Sequence, residues 1–74
     1  MSNIVAGLKQ SKKAVETGEV SRAFAAFDAD SEVISPFLTL CREKGVSVDR
    51  EYDMKELAKL CKVEVPTAVA VVTI

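Results

Sequence analysis

Apolar and polar positions alternate along the chain in two rhythms. Gly7 to Gly18 reads as the first helix, entered at one glycine and stopped by another. Ile4, Leu8, Ser11 and Val15 follow a helical stripe with Ala14 beside them, and Ser2 or Asn3 can cap the start. Val20 to Phe27 is short and apolar and is expected to be a buried strand, with Phe24 and Phe27 in the core. The cluster Asp28-Ala29-Asp30-Ser31 forms a turn. A second helix is expected from Glu32 to Lys44, ended by Gly45, with Val33, Ile34, Phe37, Leu38, Leu40 and Cys41 on its apolar face. Pro36 must fall in its first turn, or the residues before it form a separate turn.

Val46 to Arg50 alternates apolar and polar, the pattern of a half-buried strand. Asp53-x-x-Glu56 is a capping-box start for a third helix striped by Met54, Leu57, Leu60 and Cys61. Val63 to Pro66 is a loop, because proline disfavours helix at Val65. Thr67 to Ile74 is rich in Val and Ala with little alternation, as in a central strand covered on both faces. Helix, strand, helix, strand, helix, strand suggests a layered α/β sandwich.

Length and composition narrow this picture. With 74 residues, 49% hydrophobic and 28% charged, the chain suits one folded domain with one modest core. Aromatics are 5%, so that core is aliphatic. Cys41 and Cys61 are twenty apart in apolar runs, with no histidine in the chain, and read as small buried apolar groups. The start Met-Ser-Asn-Ile-Val is not that of a signal peptide, and no apolar run is long enough to span a bilayer. A cytoplasmic monomer is expected, since one core can use up the apolar residues. Catalysis has little support: there is no histidine, phosphate loop, nucleophile motif or metal-ligand cluster. Asp28 and Asp30 suit turn formation and capping better than acid–base or magnesium chemistry.

The net charge of -1 is unevenly spread. Residues 1–15 hold Lys9, Lys12 and Lys13 and no acid, whereas residues 16–53 hold nine acids and four bases. Lys55, Lys59 and Lys62 then outweigh Glu56. On a helix, Lys9, Gln10 and Lys13 share one patch. A carboxamide can donate to and accept from a base edge, and ammonium groups can meet the flanking phosphates. Such a patch is more often a plain solvated face.

The order of motifs adds weight to the binding reading. Gly7-x-Lys-Gln-x-x-Lys-Ala-Val-x-x-Gly, Asp28-Ala29-Asp30, Leu-Cys-Arg-Glu-Lys-Gly and Val63-Glu64-Val65-Pro66 follow one another across nearly all of the chain. It resembles the ribosomal protein L-seven-Ae family of kink-turn RNA binders, most closely its small bacterial ribosomal-like members. The resemblance implies a three-layer α-β-α sandwich, a small mixed sheet with helices on both faces. It implies a single domain over residues 1–74 that binds a kink-turn, with its sheared G·A pairs and flipped-out base, in ribosomal or other structured RNA. No cofactor is implied. Gly7 would admit the RNA backbone, Gln10 and Lys13 would read or grip the G·A pairs, and Lys9 and Lys12 would neutralise phosphate. The loop Val63-Glu64-Val65 would cover the extruded base, with Lys59 and Lys62 adding charge beside it. Leu8, Ala58 and Lys62 depart from the family pattern. With the acidic middle, they keep open a second reading: a protein-interaction or scaffold module of the same fold without specific RNA binding.

Overall fold

The computed structural model describes residues 3–74. Among these, four strands and three helices follow in the order β1 (Ile4–Ala6), α1 (Leu8–Thr17), β2 (Val20–Ala25), α2 (Ser31–Glu43), β3 (Val48–Asp49), α3 (Met54–Cys61) and β4 (Val69–Thr73). The strands form one mixed sheet in the order β1-β4-β2-β3. β4 pairs antiparallel with both β1 and β2, and β3 pairs parallel with β2. Strands β1, β2 and β3 therefore all end where β4 begins. Each is followed there by the start of a helix, so α1, α2 and α3 open at the same end of the sheet.

Alternation along β2 and β4 divides the core into two layers. Ala23, Ala25, Val69 and Val71 pack with Val15 of α1 and with Ile34, Phe37 and Cys41 of α2. Phe24, Ala26 and Ala70 pack on the other face with Leu57 of α3. The three-layer sandwich is thus built as expected, with β4 covered on both sides. Phe24 meets Tyr52 edge-on, their ring centroids 5.7 Å apart. Both cysteines are free; Cys41 is fully buried and Cys61 half-buried. Burial raises both thiol pKa values, which keeps the groups protonated and inert at neutral pH.

Five expectations need correction. Ile4 does not extend the first helix: it sits in β1, opposite Val72. Asn3 caps nothing; its N–H donates to Thr73 Oγ1 (3.1 Å) and its carbonyl accepts from Thr73 N (2.7 Å), starting the β1–β4 ladder. The alternative cap, Ser2, lies outside the described residues. Gly7 separates strand from helix because its φ of 98° is open only to a residue without a side chain. Pro36 is the sixth helical residue of α2, beyond the first turn. The bond it cannot donate would go to the carbonyl of Glu32, an exposed residue. Val33 is 44% exposed and leaves the apolar face of α2. Phe27 is 57% exposed rather than buried, since β2 ends at Ala25 and the chain is already turning.

Helix ends follow the capping chemistry of the sequence. Asp30 caps α2 by accepting from Glu32 N at 2.9 Å. Asp53 and Glu56 complete the capping box of α3. Past α2, Gly45 N–H donates to Arg42 O and Val46 N–H to Cys41 O, the paired bonds of a Schellman turn. α3 ends instead on Lys62, with φ 59° and ψ 41°. A side chain in that left-handed region costs about 1–2 kcal/mol. The loop turn that glycine would make is still made here, against strain.

That turn leads through residues 63–66 to Thr67, which is 6% exposed. Thr67 Oγ1 accepts the Gly7 N–H at 3.2 Å and donates to Val69 O at 2.9 Å. Gly7 N–H also reaches Val69 O at 3.2 Å. One hydroxyl thus joins the end of β1, the entrance of α1 and the loop before β4.

Two substitutions test these joints. Lys62→Gly should stabilise the chain by up to ~1 kcal/mol, strain relief less the entropy glycine adds to the unfolded chain, read as a raised thermal midpoint. A fall would mean that the Lys62 side chain holds the turn. Thr67→Val keeps the shape and removes the hydroxyl. It should cost about 1 kcal/mol in urea unfolding and speed hydrogen exchange at Gly7; unchanged exchange there would show that the tie is not needed.

Candidate nucleic-acid interface

The entrance of α1 differs from those of the other two helices. Among the described residues no side chain caps it, and its first turn holds no acid. Asp30 and Asp53 cap α2 and α3, each with a glutamate in the first turn. Of the three, α1 alone therefore presents first-turn N–H groups and the positive end of its dipole with no carboxylate set against them. Ser11 and Val15 are buried and anchor the helix to the sheet. Ser11 Oγ donates to Val5 O at 3.4 Å. This orientation turns Lys9, Gln10 and Lys13 out to solvent and leaves Lys12 half-buried.

Lys13 is the middle of the patch. It lines a groove with Leu8, Lys9, Lys12 and Glu16 on one side. On its other side it lines a groove with Val5, Gln10, Ala14, Thr17 and Glu19. Lys9 and Gln10, adjacent in sequence, point about 100° apart, so they flank Lys13 rather than standing together. Among the described residues Arg22 and Asp49 make the one ion pair, at 3.7 Å, so the α1 lysines hold no carboxylate. A Cβ placed on Gly7 would meet nothing within 4 Å, so the backbone there is open from outside.

The loop residues form a second surface. Val63 and Glu64 line a depression with Lys55, Ala58, Lys59 and Pro66. Val63 is 37% exposed and Val65 68%, an unusual outlay of β-branched apolar surface. Lys62 is exposed beside them. The loop and the lysine helix do not share a groove. They are held together through Thr67 and Gly7, and through α3, which packs on β1 and β4.

Two of the positions that depart from the family pattern now have places. Leu8 packs half-buried against the α1–α2 core layer. Ala58 is buried at the last turn of α3, where its carbonyl accepts the Val63 N–H at 3.0 Å. Sequence reasoning missed the Thr67 hydroxyl and the exposure of Phe27. A threonine opening a strand carries no local sign of such a bond, and a phenylalanine in an apolar run reads as core.

Among the described residues no cluster of His, Cys, Asp and Glu is arranged to hold a metal ion, and no helix is long and apolar enough to cross a membrane.

Known proteins share this architecture. The chain is 36% identical over 66 residues to "RNA-binding protein TTE2299" of Caldanaerobacter subterraneus subsp. tengcongensis, covering 89% of this chain and 80% of that one. It is 37% identical over 65 residues to "RNA-binding protein YbxF" of Geobacillus stearothermophilus, covering 88% and 79%. Among solved structures, the Giardia lamblia 15.5kD RNA binding protein superposes with a TM-score of 0.88 at 30% identity, over 97% of this chain and 61% of that one. A Bacillus halodurans protein of unknown function superposes with a TM-score of 0.86 at 21% identity, over 97% and 72%, a likeness of fold. The sequence pattern of the Ribosomal protein L7Ae/L30e/S12e/Gadd45 family matches residues 1–74, and the chain belongs to that family.

Proposed function

We propose that this chain is a single-domain RNA-binding protein, not an enzyme, that recognises a kink-turn in ribosomal or other structured RNA. The observation that carries the reading is the uncapped α1 entrance, with three unpaired lysines and an exposed glutamine, tied by Thr67 to a loop of exposed valines. The relatives named as RNA-binding proteins support it.

In this reading Gly7 lets the RNA backbone come close to the free N–H groups of α1. Gln10 reads the edge of a sheared G·A pair, with Lys13 beside it gripping phosphate or base. Lys9 and Lys12 neutralise phosphate on the far side of Lys13. Val63 and Val65 shield the extruded base from water, with Glu64 between them and the Lys62 charge alongside. The acidic remainder of the surface repels RNA elsewhere and confines binding to this end. The protein acts as a monomer in the cytoplasm.

The test is a titration at near-physiological salt. One probe is a short kink-turn duplex; the other has its G·A pairs replaced by Watson–Crick pairs. Tight binding to the first alone is expected. Gln10→Ala and Lys13→Ala should each lose about 1–3 kcal/mol on the first probe. Equal, weak, salt-sensitive binding to both probes would overturn the reading and favour a module that recognises protein.

A further inference from the structure

Among the described residues six large apolar side chains are exposed: Ile4, Phe27, Val33, Val63, Val65 and Ile74. Four of them, Phe27, Val33, Val63 and Val65, belong to segments at the end of the sheet where β4 begins. Val63 and Val65 lie in the loop already assigned. Phe27 is different in kind: it is the aromatic member, and at 57% exposure it presents much of its ring to solvent.

Its place relative to the lysine helix follows from the ladder. The consecutive carbonyls of Ala68 and Val69 accept from Ala26 N–H at 2.8 Å and from Gly7 N–H at 3.2 Å. Ala26 and Gly7 thus flank the same step of β4 from opposite sides. Two strand spacings put their backbones roughly 10 Å apart. The backbone of Phe27 is itself fixed, because its N–H donates to Tyr52 O at 3.0 Å. The ring therefore stands on a rigid backbone support, one residue beyond the point where β4 separates that backbone from the α1 entrance.

The neighbouring charge decides what the ring can meet. Asp28 Oδ1 accepts from Met54 N at 2.9 Å and Asp30 Oδ1 from Glu32 N, so both carboxylates stay beside it at helix entrances. Phosphate is repelled there. An uncharged base face is not.

We infer that Phe27 is a stacking platform for an unpaired base of the same RNA, extending the interface across β4 from the lysine helix. The inference rests on the RNA reading proposed above. Stacking on an aromatic ring is tolerant of base identity, so Phe27 adds affinity for an unpaired nucleotide rather than for one sequence.

A set of kink-turn probes carrying an abasic site at each unpaired position in turn tests this, against the wild type, Phe27→Ala, Phe27→Trp and Gln10→Ala. Phe27→Ala should weaken binding to the intact probe roughly 5- to 150-fold, the range for losing one base–aromatic stack. The wild type should lose affinity at one abasic position to which Phe27→Ala is indifferent, and Phe27→Trp should restore the wild-type pattern. Phe27→Ala binding within twofold of wild type while Gln10→Ala is weakened would overturn the inference and leave the RNA reading standing. A wild type that does not tell the kink-turn from paired duplex would remove both. Loss of self-association in sedimentation on Phe27→Ala, with RNA affinity unchanged, would assign the ring to a second copy of the chain and overturn the inference.

Discussion

The hydroxyl of Thr67 is the constraint on which the functional end of this protein depends. It is a polar group at 6% exposure, and both its bonds go to the backbone. Leaving such a group unpaired costs on the order of 1–3 kcal/mol, so the two bonds are enforced by burial. One fixes the glycine that opens α1 and the other fixes the first carbonyl of β4. The helix that carries the lysines and the loop that carries the valines are distant in sequence. Their relative placement is tied at this one atom, alongside the packing of α3 on β1 and β4. In so small a domain, whose total stability is of order 5–10 kcal/mol, such a joint is a sizeable part of what keeps the surface in register.

Charge and capping act in the same direction. Two of the three helix entrances at this end carry aspartates and glutamates, which accept from one N–H of α2 and two of α3 and offset their dipoles. The third has no such partner and carries lysines in its first two turns. The result is a single electropositive entrance on a chain whose net charge is -1. An RNA approaching the protein meets repulsion over most of the surface and attraction at one place. That arrangement favours a compact RNA element over general coating of nucleic acid. Lys62, held in a strained left-handed turn, shows that the loop keeps its course even without the glycine that would make it easy.

Much of this was legible in the amino-acid order, for reasons that are local. Capping at Asp53–Glu56, helix ends at Gly18 and Gly45 and the two-sided apolar run of β4 are written in adjacent residues. β1 was hidden because Ile4 happens to fit the helical stripe of Leu8 and Val15; its strand character comes from pairing with Val71 and Val72, nearly seventy residues away. Lys9, Gln10 and Lys13 could be named in advance, yet the split of Lys9 and Gln10 to either side of Lys13 needed the fixed rotation of α1 on Ser11 and Val15. Phe27 was hidden for the opposite reason to β1: its local context is that of a buried strand, and only the early end of β2 at Ala25 turns it outward.

The central claim is that one end of the sheet, assembled around Thr67, is where RNA binds. The most direct measurement is amide chemical-shift mapping by NMR of the full chain on adding a kink-turn duplex. The account predicts perturbations concentrated at residues 7–13, 26–28 and 62–67, with the opposite end of the sheet, around Val20 and Thr73, unmoved. Perturbations centred on the solvent faces of α2 and β3, with Gly7 and Val65 unaffected, would contradict it.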